Sequence, residues 1–367
     1  REDLVAQIPT SMIMEDMDPP RETFVLKRGD YRTPGEKITA AVPEFLPKID
    51  GQINRLTLAR WLVSKDQPLT PRVVANRYWA LLFGTGLVRT VNDFGSQGEW
   101  PSHPELLEWL AAEFRDGAVQ GGKPWDVKAL VRLIVTSATY RQSAAGHPEK
   151  LEKDPENRLL SRGPRLRLDA EFVRDNALAV AGLLNDKVGG PSVRPYQPEG
   201  IWDGVDVKYV QDHGEKIYRR GMYVFWRRSS HYPSFATFDA PNREVCTALR
   251  QRTQTPLQSL TLMNDPAYVE AARGLAQRVM REESDLDKRL WKAFRHTLGR
   301  VPRDEEIAVL RKTYETQRDN FKEDSKAAEE LLKIGESKMP DGVDKVELAA
   351  LTATANVLLN LNETITK

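Results

Sequence analysis

The stretch PSHPELLEWLAAEFRDG, residues 101–117, contains the clearest helix signal in this sequence. Ser102 and Glu105 have the spacing of a capping box, in which each side chain bonds to the backbone of the other residue. His103 then stands at the first helical position. The apolar residues that follow share one helical face, which predicts packing against other helices: Leu106, Leu107, Leu110 and Phe114.

The neighbouring segments extend this helix into a helical domain. TPRVVANRYWALLFGTG has Thr70 as its expected N-cap, Pro71 at the first helical position and Gly84 as its stop. Asp126 is the expected N-cap of a later helix. With the apolar spacing of NRLTLARWLVS, these segments predict a helical domain over residues 51–145.

The segment before this domain, residues 1–50, is rich in proline. It predicts an extended chain with a short strand at Thr23–Lys27.

The remaining chain predicts two further regions. Residues 146–284 read as a central α+β region, with a helix that Asp169 caps and that ends at Asn185, and with a strand at Met222–Trp226. Residues 285–367 read as helical, including a long polar helix from Pro302 to about Ile334 that pairs with its neighbour. The fold class is therefore mainly α and multi-helical, with a small β element in the middle region and a C-terminal helical hairpin.

Composition excludes several classes of protein. Of the 367 residues, 40% are hydrophobic and 29% are charged, which is typical of a globular protein rather than a disordered one. The 54 basic and 53 acidic residues leave a formal charge of +1, so no overall field attracts nucleic acid. No apolar run approaches the roughly 20 residues that a membrane span needs.

The cysteine and histidine content argues against a cofactor within this chain. The one cysteine excludes an internal disulfide and the CxxCH motif that attaches a c-type haem. The five histidines have no metal-ligand spacing, so we expect no metal site built from histidine.

The stretch FDAPNREVCTALRQRTQTP, residues 238–256, concentrates charge in the middle of the chain. From residue 216 to residue 252 there are eight basic residues and two acids. We call the charged side chains of the quoted stretch the arginine seam: Asp239, Arg243, Glu244, Arg250 and Arg252.

Two interpretations of the arginine seam are open. Guanidinium groups bind carboxylate, sulfate or phosphate through two parallel hydrogen bonds, which predicts a site for an anion or an acidic sugar. Alternatively the seam is an internal network of ion pairs and carbonyl contacts, which is the favoured interpretation. Cys246, within the seam, is expected to be a buried small apolar residue rather than a reactive thiol.

Two other segments contain candidate ligand-binding residues. His103 lies near a helix N-terminus with acidic neighbours, where it could do acid–base work, although loop closure under a lid formed by Trp100 and Pro101 is favoured. Tyr196 and Trp202 lie in a loop rich in glycine and proline, where aromatic rings either stack on sugars or anchor the loop.

The motifs of this chain resemble those of one known family. NRYWALLFGTGLVRTVNDFGSQGEWPSHPELLEWLA, LIVTSATYRQS, NRLLSRGPRLRLDAEFVRDNALAVAGLL, GGPSVRPYQPEGIW and TFDAPNREVCTALRQRTQTPLQSLTLMNDP occur in that order. So arranged, they resemble the C-terminal domain of unknown function of planctomycete cytochrome-c-associated proteins, from about Arg21 to Ile365. Two positions depart from the family pattern, Asn242 where aspartate is usual and Thr364 where phenylalanine is usual.

The resemblance implies a setting rather than a reaction. It implies an exported, extracytoplasmic protein, periplasmic or secreted, of which this chain is the C-terminal portion. Its partners would then be other domains of the same polypeptide, including a cytochrome c domain that carries the haem, and the chain would have no membrane span. The family supplies no catalytic residues that could be assigned here.

Two functions are compatible with these observations. In the first, the chain is a binding or scaffolding domain that recognises an acidic or carbohydrate ligand, such as a polysaccharide. In the second, it is the catalytic part of a haem-linked enzyme that acts on carbohydrates or related polymers. We favour the first, because no nucleophile–base pair or metal-ligand set can be identified in the sequence.

Overall fold

A computed structural model describes residue 8 and residues 10–117, 122–202 and 208–366. The chain divides into two compact units, residues 1–163 and residues 164–367. Each unit has its own apolar core. Each is therefore described by itself.

The first unit begins with a two-stranded antiparallel sheet. Strand β1 is Thr23–Leu26 and strand β2 is Pro34–Ile38, joined through a 3-10 turn at Lys27–Gly29. The strand expected at Thr23–Lys27 is therefore confirmed, and its pairing partner was not anticipated. Among the described residues five α-helices follow: α1 Arg55–Leu62, α2 Thr70–Phe83, α3 Pro104–Asp116, α4 Val127–Val135 and α5 Pro148–Lys153.

The apolar faces of helices α2, α3 and α4 build the core of the first unit. The residues with the least exposed side chains come from all three helices, among them Ala75, Leu107, Leu110, Leu130 and Ile134. Full burial of such a side chain contributes about 1.5–3 kcal/mol. The apolar spacing that predicted these helices therefore also identified the core that they share.

The helix starts differ in detail from the predictions. Helix α3 begins after His103, which is its N-cap and makes no side-chain cap bond. The prediction of a capping box formed by Ser102 and Glu105 was therefore wrong. The N-cap of α2 is Leu69 rather than Thr70. Asp126 was predicted correctly, because its carboxylate accepts from the N–H of Ala129 at 3.0 Å.

The second unit contains nine helices among its described residues. They are α6 Ala170–Ala181, α7 Pro233–Thr237, α8 Pro256–Asn264, α9 Pro266–Glu282, α10 Leu286–Leu298, α11 Asp304–Glu323, α12 Ser325–Leu332, α13 Lys345–Leu359 and α14 Asn362–Ile365. The mainly α fold class is confirmed. No helix in the described ranges is both long enough and apolar enough to cross a membrane.

Helices α9 and α13 form the centre of the second unit. Both contain runs of alanine and leucine with almost no exposed surface, such as Ala271, Ala272, Ala349 and Ala350. Small side chains let helix backbones approach closely. At Gly274 of α9, an added Cβ would lie 3.0 Å from the Cβ of Ala181, which shows how closely α6 packs there.

Three elements of the second unit differ from expectation. Helix α6 ends at Ala181 rather than at Asn185, because Gly182 takes a left-handed conformation with φ 73°. The segment Met222–Trp226 is not a regular strand: a 3-10 turn covers Gly221–Tyr223, and Val224 makes a single bridge to Val193. The long polar helix is interrupted at Asp324, whose side chain accepts from the N–H of Ala327 and so caps α12. A carboxylate that bonds to the backbone in this way favours a new helix start over continuation.

Candidate functional site

Asp239 of the arginine seam belongs to a buried ion pair. Its carboxylate accepts from Nη2 of Arg167 at 2.6 Å, and from the N–H and the hydroxyl of Thr253, each at 2.8 Å. The Arg167 side chain is only 2% exposed and also donates to the carbonyls of Leu168, Phe238 and Thr253. Burial lowers the pKa of Arg167, while Asp239 opposes that shift. Asp239 therefore pairs with an arginine outside the seam.

Arg250 and Arg252 are also paired with acids from outside the seam. Arg250 donates to both carboxylate oxygens of Glu171, at 2.7 and 3.2 Å. Arg252 has its Nε 3.5 Å from Asp169, which lies at the N-terminus of α6. These carboxylates are engaged in ion pairs, and Asp169 makes no side-chain cap bond. This part of the seam joins the loop before α8 to the start of α6.

Arg243 is the seam arginine that has no acidic partner among the described residues. It is exposed, with a left-handed φ of 62°, and its guanidinium lies 4.2 Å from the centre of the Trp226 ring. Glu244 is exposed, and its backbone N–H donates to the side chain of Asn242 at 3.0 Å. Cys246 is exposed as well, so the expectation of a buried cysteine was wrong. The surrounding loop, residues 241–255, contains no regular helix or strand that would enclose the thiol.

Two buried arginines of the second unit, Arg219 and Arg174, donate to backbone carbonyls, and those of Arg219 belong to the glycine- and proline-rich loop and the residue before it. Arg219 donates to the carbonyls of Pro191, Lys187 and Gly189, and it lies 3.8 Å from the Tyr223 ring. Arg174, which the sequence analysis did not single out, donates to the carbonyls of residues 217 and 219. Its side chain is 2% exposed. These carbonyl contacts are made by arginines outside the arginine seam.

Tyr196 is an anchor rather than an exposed stacking ring. Its hydroxyl donates to Glu270 at 2.9 Å and accepts from the N–H of Glu336 at 2.8 Å. Burial, followed by the Glu270 charge, raises the pKa of Tyr196 well above its ordinary value. The ring therefore fastens its loop to helix α9 and to the loop after α12.

Glu270 is the centre of a buried polar cluster that sequence reasoning missed. The residue is 1% exposed and accepts from the hydroxyls of Tyr196 and Tyr218, from the N–H of Ser337 and, at 3.4 Å, from Arg273. A buried carboxylate is stable only when such donors surround it. The sole local signal was the pair Glu270 and Arg273 at helical spacing, which also occurs on exposed helix faces.

Trp202 lies in an aromatic group with two arginines. Its ring is half-buried, 5.3 Å from Tyr209 and 6.0 Å from Phe225. Arg227 lies 5.7 Å from the Trp202 ring, and Arg194 lies 4.5 Å from the Phe225 ring. Neither guanidinium has a carboxylate partner among the described residues, although the backbone N–H of Arg194 donates to Asp212 at 2.8 Å and the Nε of Arg227 donates to the Ser229 hydroxyl at 3.0 Å.

His103 belongs to the first unit. Its Nδ1 lies 3.0 Å from the hydroxyl of Ser102, and no acid within the described part of the chain contacts it. Asp93 accepts from the N–H of Gly95, which is an ordinary turn contact. Trp100 is 89% exposed and forms no lid over the helix start, so that expectation was wrong.

The candidate site that remains is a set of arginines held against aromatic rings. We call it the arginine–aromatic group, and it consists of Arg194, Arg227, Arg243, Trp202, Phe225 and Trp226. Each guanidinium contacts a ring face through cation–π attraction, worth about 0.5–1 kcal/mol at exposed sites. Within the described ranges no cluster of three or more potential metal ligands is present.

Comparison with known proteins gives one match. The model of the family PSD1, described as a protein of unknown function (DUF1553), matches residues 54–314, which is more than half of the chain. No curated protein and no solved structure matches.

Proposed function

Because the chain belongs to the PSD1 family of proteins of unknown function, we propose that it is a binding domain that recognises an acidic ligand through the arginine–aromatic group. The observation that supports this proposal is the difference between two kinds of arginine. Arg250, like Arg167, is neutralised by acids, whereas Arg194, Arg227 and Arg243 are held by rings.

A ring holds a guanidinium without neutralising it. Cation–π contact uses the face of the guanidinium and leaves its N–H groups at the edge able to donate. Those donors match carboxylate and sulfate groups. An acidic polysaccharide presents many such groups in a row, so several arginines could bind one chain.

Binding is preferred to catalysis because the nearby acids are already engaged. Asp239 is held by Arg167 and Thr253, and Glu171 is held by both terminal nitrogens of Arg250. Neither carboxylate is placed to move a proton of a bound ligand. The catalytic alternative, a haem-linked enzyme that acts on carbohydrates, has no comparable supporting geometry.

The setting forms part of the same proposal. We infer an extracytoplasmic chain, periplasmic or secreted, from the resemblance to planctomycete cytochrome-c-associated proteins. The haem would belong to a separate cytochrome c domain of the same polypeptide, because this sequence contains one cysteine and no CxxCH motif. In that arrangement this domain would hold the polymer while the haem domain transfers electrons.

The test is binding of the chain to immobilised heparin and to polygalacturonate, with dextran as the neutral control. Arg243→Gln should weaken binding by about tenfold, because a charge-assisted contact is worth about 1.5 kcal/mol. Arg295 lies 5.1 Å from the Trp291 ring elsewhere in the second unit, so Arg295→Gln is the matched control. Equal losses in both variants, or equal binding to dextran, would show that the arginine–aromatic group is not the site.

A further inference from the structure

The first unit contains a cleft whose lining combines aromatic rings with unsatisfied hydrogen-bond donors. It encloses about 280 Å³ between the end of helix α2, the loop after it and the segment 156–160. The residues that matter for its chemistry are Trp79, Phe83, Arg89, Ser102 and Arg158. All of them lie within residues 1–163, whereas the arginine–aromatic group consists of residues of the second unit.

One wall of the cleft is held rigidly. Asn76 is fully buried and bonds both backbone groups of Val88, accepting from its N–H and donating to its carbonyl, each at 2.9 Å. At Gly86 an added Cβ would overlap the carbonyl oxygen of Val88, so the chain can pass there only with glycine. The N–H of Ser102 donates to the carbonyl of Leu87 at 2.8 Å. A site built on such a loop loses little entropy when it binds a ligand.

The inner wall is aromatic. The rings of Trp79 and Phe83 stack with centroids 4.1 Å apart and planes 8° apart. Trp79 is only 5% exposed, yet its indole N–H has no acceptor among the described residues. Because Trp79 lines the cleft, its indole N–H is the donor that we assign to a molecule bound there.

The charge of the cleft is positive. Arg89 is balanced by Glu156, whose carboxylate lies 2.5 Å from its Nη1. Arg158 is exposed, and its side chain makes no ion pair or hydrogen bond within the described part of the chain. The lining thus offers one guanidinium without an ion-pair partner in the described part of the chain and one indole N–H, beside the rings of Trp79 and Phe83. Such a combination of apolar walls with a few polar groups is typical of small-molecule sites.

We propose that this cleft binds a small carboxylate that has a flat ring. The ring lies against the wall formed by Trp79 and Phe83, and the carboxylate accepts from Arg158. The indole N–H of Trp79 supplies a further donor for an oxygen of the ligand. The inference does not depend on the acidic-polymer site, because it concerns different residues in the other unit.

The experiment is a titration of the whole chain with benzoate, followed through the indole ¹H–¹⁵N resonances. Trp79→Phe identifies the Trp79 resonance and preserves a flat ring at that position. We expect benzoate to shift this resonance with a dissociation constant on the order of 1 mM, as befits so small a ligand. Benzamide has the same shape without the charge and should shift it weakly or not at all.

Two variants test the role of Arg158. Arg158→Leu should weaken benzoate binding by roughly fivefold to tenfold, because a charge-assisted contact is lost. Arg77 lies on helix α2, is exposed and does not line the cleft, so Arg77→Leu should change binding by less than about twofold. Thermal unfolding of each variant verifies that it is folded.

Three results would overturn the proposal. The Trp79 resonance could fail to move with benzoate, benzamide could bind as tightly as benzoate, or the two arginine variants could weaken binding equally. The first would show that the cleft is not a site. The others would show that Arg158 does not recognise an anion there.

Discussion

The buried contact between Asp239 and Arg167 should stabilise the second unit far more than any exposed arginine does. The informative change is Asp239→Asn, because asparagine has the same size and tolerates the left-handed conformation at this position, where φ is 60°. It removes the negative charge that Arg167 faces at 2.6 Å. The substitution also replaces one carboxylate oxygen, which accepts hydrogen bonds from Thr253, with an amide NH₂ group that can only donate.

The magnitude follows from the burial of the pair. Removing one partner of a buried ion pair costs about 3–5 kcal/mol. The Asp239 side chain is 18% exposed, and Arg167 keeps three carbonyl acceptors, so part of this cost is avoided. We therefore expect a loss of about 2–4 kcal/mol in the free energy of unfolding of the second unit. For a unit of this size that corresponds to a decrease in Tm of roughly 5–12 °C.

The assay is differential scanning calorimetry of the whole chain, in which the two units can unfold in separate transitions. Arg243→Gln is the matched comparison. It removes an exposed guanidinium from the Trp226 ring and should cost less than about 1 kcal/mol. If Asp239→Asn lowers Tm no more than Arg243→Gln does, the division of the seam into buried structural pairs and free arginines is incorrect.

Three further predictions concern other residues of the second unit. Gly335→Ala should cost about 2–3 kcal/mol in chemical denaturation, because φ at Gly335 is +87° and an added Cβ would overlap the Glu270 carboxylate. Hydrogen bonds, of which the one from the Arg300 side chain has the largest effect, lower the pKa of Glu306 below its ordinary value of 4.5. The ionised carboxylate therefore stabilises the fold fully above pH 4.5, and this stabilisation is lost as the pH falls. Glu306→Gln should therefore lower Tm at pH 7, and its difference from the wild type should shrink in scans below pH 4.5; a constant difference would contradict this. Cys246 is exposed and should react with one equivalent of maleimide in native protein by mass spectrometry, whereas reaction only after denaturation would show that the thiol is protected.

The helices were predictable because their signals are local. Asp126 caps its helix through a backbone N–H three residues along the chain, and sequence spacing alone identifies such a contact. Thr70 and Ser102 were assigned as caps by the same logic and were wrong. Each lies near a proline, but the position of that proline in the helix differs. Pro71 is the second residue of α2, whereas Pro104 is the first residue of α3. Local sequence does not distinguish these two starts, because packing of the helix decides where its first turn forms.

The ion pairs were not predictable, because their partners are distant in the sequence. Arg250 pairs with an acid 79 positions away, and Asp239 pairs with an arginine 72 positions away. Counting charges between residues 216 and 252 therefore gave a large local excess, which helix α6 partly neutralises through Asp169 and Glu171. The buried cluster around Glu270 escaped notice for the same reason, since Tyr196 and Ser337 approach it from separate loops.

The aromatic residues explain why some arginines are left without acids. A folded protein can hold a guanidinium with a carboxylate, which cancels its charge, or with a ring, which does not. Arg243 on Trp226 and Arg194 on Phe225 follow the second course. A carboxylate partner at these positions would neutralise each guanidinium and would also occupy its donors. Arginines that are fixed in place and still able to donate are what recognition of an external anion requires, and this is the physical reason to look for the ligand at these rings.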